Sequence, residues 1–136
     1  MDWQSLGYAA IQVAHNFGAV SVVGGPLFAL WPTPFDRKRA RPIAWLVFAG
    51  WIVQIVSGAA FGAASYVWFG HFPDIHGIAV AALLVKIACA VAGLVLTAYH
   101  LANRREGAGD ARRIWRSLLA LGATALIAAA FLRWLS

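Results

Sequence analysis

The sequence predicts an all-α fold, a bundle of four transmembrane helices built as one domain over residues 1–136. Three observations predict it: an excess of apolar residues, four apolar stretches of membrane-spanning length, and basic residues confined to two short segments. Of the 136 residues, 62% are hydrophobic and 12% charged. Soluble domains carry about 45–50% apolar and about 25% charged residues. A water-soluble domain of this length has no interior large enough to hide that excess, so lipid is its natural solvent.

A helix needs about 20 apolar residues to cross a bilayer. Four stretches qualify, at residues 6–30, 43–69, 75–102 and 114–135. The first ends at Trp31-Pro32-Thr33-Pro34, where the prolines remove backbone donors and restrict the residues before them. Asp2 in place of a basic leader, and an apolar run beyond 7–15 residues, argue against a cleaved signal peptide. Pro42 suits an early position in the second helix. Phe72-Pro73-Asp74 forms the turn into the third span. Residues 103–113, with Gly107 and Gly109, lead into the fourth. The soluble alternative requires a polar stripe on every helix. Between Leu118 and Leu132 only Thr124 offers a polar side chain.

The net charge is +6, and nine of the eleven Lys and Arg residues cluster in two places. These are Arg37, Lys38, Arg39 and Arg41, then Arg104, Arg105, Arg112, Arg113 and Arg116. Charge that flanks apolar runs reads as topology rather than as a nucleic-acid footprint. Both basic loops are therefore expected in the cytoplasm and both termini outside it, in a bacterial-type inner membrane; only Arg133 opposes this. Trp3, Trp31, Trp68, Trp115 and Trp134 fall near span ends, as interface aromatics do. Cys89, the single cysteine, excludes an internal disulfide.

Small residues mark helix contacts. Gly50, Gln54, Ser57, Gly58, Gly62 and Ser65 recur at spacings of three and four, and Gly18, Ser21 and Gly25 do likewise. Gly58 and Gly62 form a GxxxG pair suited to packing within the bundle. The same pair suits a flat cofactor, a second copy of the chain, or a larger membrane redox complex that the chain would serve as an accessory subunit. On the third span His76, Ala79, Leu83, Lys86, Ala90, Gly93, Thr97 and His100 share one face, which is expected to point into the bundle.

Lys86 is the costliest residue. A charge at mid-bilayer costs on the order of 2.5–3.5 kcal/mol, so an intramembrane lysine is a functional candidate by default. The plain alternative is a neutral amine hydrogen-bonded inside the bundle. Counting at about 1.5 Å per residue sets His15, Lys86 and the Ser57-Gly58 pair at one depth. A histidine there suits a haem iron or a copper ion, against the alternative of a hydrogen-bonded structural histidine. Ala14, Gly18 and Ala19 leave room for a porphyrin beside it, with Gln12 and Ser57 as second hydrogen-bonding partners. His71, Asp74 and His76 form H-x2-D-x-H at a turn, a spacing open to copper or zinc and equally to ordinary turn polarity. His76 and His100 lie too far in depth from His15 to share a haem with it. No Asp or Glu lies in a span, and the sequence has no phosphate loop, CxxC or catalytic triad pattern.

The first span reads His15-x2-Gly18-x3-Val22-x-Gly24-Gly25. With Arg41-Pro42, Ser57-Gly58, Leu83-Leu84-Val85-Lys86 and Ala102-Asn103-Arg104-Arg105, it resembles the copper-resistance CopD domain across three of its four helices. His15 and Lys86 are also similar in position to residues of the HemJ-type protoporphyrinogen oxidases, four-helix membrane proteins that bind haem b. Val22 stands where the CopD domain has tryptophan, and Pro26-Leu27-Phe28 where the haem-linked oxidases have Pro-Arg. The resemblance implies haem-linked redox chemistry, with haem b held by His15 and Lys86 as propionate partner or second ligand. Its alternative implication is copper handling. Taken with the H-x2-D-x-H turn, copper passage would have the metal collected by His71, Asp74 and His76 and relayed by His15.

Overall fold

The computed structural model describes residues 2–31 and 33–135, the last by its backbone alone. Pro32, part of the expected stop after the first span, lies outside these residues. The described chain forms four helices: α1 (Trp3–Leu30), α2 (Arg37–Phe69), α3 (Ile78–Ala102) and α4 (Ala108–Leu135). All four are long and apolar enough to cross a membrane. They run up and down in a square ring: α1 packs on α2, α2 on α3, α3 on α4, and α4 back on α1. One end of the ring gathers the basic segments. The opposite end carries the α2–α3 connection.

Two boundaries differ from the apolar runs by six residues, and capping explains one of them. Helix α2 starts six residues before the expected 43, at Arg37. Asp36 accepts hydrogen bonds from the backbone N–H groups of Lys38 and Arg39, so the basic turn is helical although it is not apolar. At 33 residues α2 is about 50 Å long, well beyond an apolar slab of about 30 Å. Helix α4 likewise starts at Ala108 rather than 114, with Asp110 in its first turn near the positive end of the helix dipole. The α2–α3 connection turns on Gly70 and Gly77, whose φ angles of 75° and 55° favour glycine. Gly70 closes α2 by donating its N–H to the Tyr66 carbonyl.

Close packing is concentrated toward the basic end. The core joins Val22, Ala29, Ala44, Val47, Trp51, Ala90, Leu101, Trp115 and Leu118. Glycines set the crossings there. A Cβ on Gly18 would meet the Gly50 carbonyl and Gln54, and one on Gly93 would enter the Trp51 ring. A Cβ on Gly122 would lie 2.6 Å from the Val22 carbonyl oxygen. By contrast, every buried residue of α1 lies at Gly18 or beyond, and none lies in its first half.

Several expectations about packing are corrected here. Gly58 is exposed with open space beside it, and Gly62 meets only the edge of Phe72, at 4.0 Å. The GxxxG pair therefore faces outward, and the work expected of it inside the bundle falls to Gly18, Gly25, Gly50, Gly93 and Gly122. Trp115 is not an interface aromatic. It is 0% exposed and its ring meets His100 edge-on at 5.5 Å. Because α4 begins earlier than its apolar run, Trp115 lies two turns inside the helix rather than at its end. Trp3, Trp31 and Trp134 are exposed at the helix ends, while Trp68 is half-buried against Gly7 and Tyr8.

Candidate functional site: a lysine–histidine–serine chain across the bundle

α1 and α3 stand on a diagonal of the ring, so side chains rather than backbones must meet across it. Lys86 reaches from α3 and places Nζ 2.9 Å from His15 Nε2 on α1. The other ring nitrogen, His15 Nδ1, lies 2.6 Å from Ser57 Oγ on α2. Three helices thus meet in one hydrogen-bonded line.

Donor counting fixes the direction of that line. The Ser57 hydroxyl has one proton, and it donates this to the Val53 carbonyl one turn back. With that proton on Val53, Ser57 Oγ accepts from His15, and the arrangement assigns the imidazole proton to Nδ1. Nε2 is left with a lone pair, which accepts from Lys86. The chain of donors runs from the amine, through the imidazole, to the hydroxyl and a backbone carbonyl. Each of the three side chains in this line has a partner, which is what a low-dielectric interior requires.

Helix geometry supports this placement. Ser57 and Gln54 are three residues apart and so face the same neighbour. Gln54 Nε2 donates to the His15 backbone carbonyl at 2.5 Å, fixing the height of α1 against α2. The Gly18–Gly50 approach one turn away brings the two backbones close enough for both contacts. Phe61, one turn beyond Ser57, meets the His15 ring edge-on at 5.7 Å and continues through Tyr8 to Trp68. Lys86 and His15 are each half-buried, so the line borders the loosely packed half of the bundle.

Other residues singled out in the sequence lie elsewhere. Gln12 is not a partner of His15; its Nε2 donates to Asn16 Oδ1 at 2.8 Å on the outer face of α1. Gln54 takes that place, and its only sequence signal is the spacing it shares with Ser57. Gly18 offers no room for a cofactor, because the α1–α2 crossing uses its open face. Gly58 does have open space beside it. At the far end, His76 Nε2 pairs with Asp74 Oδ1 at 2.7 Å, both strongly exposed. His71 Nδ1 turns instead to the Phe72 carbonyl at 3.0 Å. No three of His, Cys, Asp or Glu gather as a metal-ligand group among the described residues. The expected H-x2-D-x-H cluster therefore does not close: His71 bonds its neighbour's carbonyl while His76 and Asp74 pair with each other.

A second polar cluster went unread in the sequence. His100 Nδ1 lies 2.6 Å from Glu106 Oε2, and their side chains are 9% and 3% exposed. The connection between α3 and α4 folds Glu106 back under the end of α3. A carboxylate outside the apolar runs gave no sign of burial.

The donor set bears on which groups the interior can hold. A copper or zinc ion held by three protein side chains is not matched by one imidazole and one amine. A haem requires only one or two axial ligands. His15 has the orientation such a ligand needs: Nδ1 anchored to a hydroxyl and Nε2 on the opposite side of the ring, where it meets Lys86. The ε-amine that now meets Nε2 sits on a flexible four-carbon stem that is able to swing aside. Compared with known proteins, the chain matches no family model, no curated protein and no solved structure.

Proposed function

We propose that this chain is a small membrane redox protein that binds haem b inside its four-helix bundle through His15 Nε2. The observation that carries the reading is the anchored His15 imidazole, which presents a lone pair to Lys86 across the bundle. An unneeded lysine and histidine at this depth would be costly, and a ligand and its counter-charge supply a reason for both. The resemblance of the His15 and Lys86 segments to CopD and HemJ-type proteins favours the same reading.

When bound, the haem supplies one-electron chemistry. The chain's own residues do the rest. Ser57 keeps Nδ1 protonated and fixes the ring plane. Lys86 would serve the bound group as a propionate's counter-charge or as a second ligand. Phe61 walls one side of the imidazole. In the membrane the basic segments lie in the cytoplasm and the termini outside, by the excess of Lys and Arg in the two connecting regions.

The test is an absorption spectrum of detergent-purified protein after haem supplementation. A Soret band that disappears in His15→Ala, with helical content unchanged, supports the reading. A folded wild-type protein that stays colourless after supplementation overturns it.

A further inference from the structure

We propose that the basic end of the bundle holds a binding site for the phosphate headgroup of an anionic phospholipid. A cleft of about 520 Å³ opens there between the start of α2 and the end of α3. It is lined by Arg37, Lys38, Arg41, His100, Asn103 and Arg104. Four of these six side chains are permanent cations at neutral pH, and no carboxylate lines the cleft.

Two of the four cations, Arg37 and Arg41, are tethered without being neutralised. Arg37 Nη2 donates to the Arg104 carbonyl at 3.2 Å, and Arg41 Nη2 to the Leu101 carbonyl at 3.1 Å. Each guanidinium has further N–H donors beyond that one tether. None of the four cations makes an ion pair among the described residues; the pairs there are His76–Asp74, His100–Glu106 and Arg113–Asp110. Asp36 spends one carboxylate oxygen on the backbone of α2. Glu106 is held by His100 and lines the neighbouring depression instead. Positive charge is thus concentrated in a shaped recess where an anion's oxygens find several donors at once.

The surroundings select a lipid over a free ion. Trp45 and Leu46, just along α2 from the cleft, are exposed and apolar, a surface for acyl chains. The cleft sits where four apolar spans end, at headgroup level for any membrane-crossing orientation. A phosphodiester with an uncharged or anionic remainder is favoured. A choline remainder brings a fifth cation and is disfavoured. The proposal rests on the membrane-spanning reading of the four helices, not on haem.

The experiment is native mass spectrometry of the full chain, delipidated in detergent and offered phosphatidylglycerol or phosphatidylcholine. Retention of phosphatidylglycerol over phosphatidylcholine is expected, unaltered in His15→Ala, which separates this site from the haem reading. Arg41→Gln with Arg104→Gln is expected to weaken retention by about 30-fold, at roughly fivefold per cation lost. Arg105→Gln with Arg113→Gln removes the same charge from the neighbouring depression and is expected to leave retention within about twofold. Equal retention of both lipids by the wild type overturns the proposal whether or not the variants fold. So does displacement by millimolar inorganic phosphate without lipid preference, which assigns the cleft to the free ion.

Discussion

Lys86 Nζ and His15 Nε2 meet at 2.9 Å across the diagonal of a four-helix ring whose other contacts run between neighbouring helices. The pair joins two helices that otherwise scarcely touch. It also favours one tautomer of His15 when Ser57 gives its only proton to the Val53 carbonyl. The expected 15N spectrum of haem-free protein shows a protonated Nδ1 and a lone-pair-bearing Nε2 on His15. In Ser57→Ala the constraint is lifted and both tautomers appear. A protonated Nε2 in the wild type would contradict the donor order.

Ser57 also offers a graded test of haem binding. An outer partner of a metal-bound histidine typically contributes 10–100-fold to affinity or activity. Ser57→Ala is therefore expected to weaken haem binding by about 10–100-fold, whereas His15→Ala abolishes the Soret band. Titration of haem into each variant, followed at the Soret band, distinguishes a weakened site from a lost one.

The two kinds of glycine in the bundle respond oppositely to a methyl group. Gly93→Ala drives a Cβ into the buried Trp51 ring and is expected to cost about 1–3 kcal/mol. Gly58→Ala meets open space and gains helix propensity, about 0.5–1 kcal/mol. Thermal unfolding in detergent, with the two variants run beside the wild type, reads both signs.

His100 and Glu106 form the best-buried ionisable pair among the described residues. Glu106→Ala leaves the His100 ring nitrogen without its partner, at an expected cost of about 1–3 kcal/mol. Glu106→Gln keeps an acceptor oxygen and is expected to recover more than half of that loss. Denaturant unfolding of the two variants measures the difference.

The four spans were legible in the sequence because lipid imposes a length and a composition on any helix that crosses it. Helix ends were less so. Asp36 extends α2 through Arg37–Arg41 by capping, which an apolar count does not register. Counting along the spans set His15, Lys86 and Ser57 at one level, and in the structure hydrogen bonds join them. Gln54 escaped notice as a partner because the spacing that sets it beside Ser57 does not say which atom of α1 it reaches. The role of each glycine was the least legible feature. A GxxxG spacing shows that two glycines share a face, while the neighbours that determine whether the face is covered come from other helices. Glu106 was missed for a related reason: its burial depends on how a connection folds back, not on local composition.

The uneven packing of the bundle separates anchorage from access. Interlocked glycines and tryptophans pin the four rods together near their arginine-rich end, while the first half of α1 is held mainly by Tyr8, Trp68 and the polar line at His15. A tweezer built this way hinges at its clamped end. Any rocking of the α1 tip would alter the surroundings of the imidazole before it disturbed the clamp.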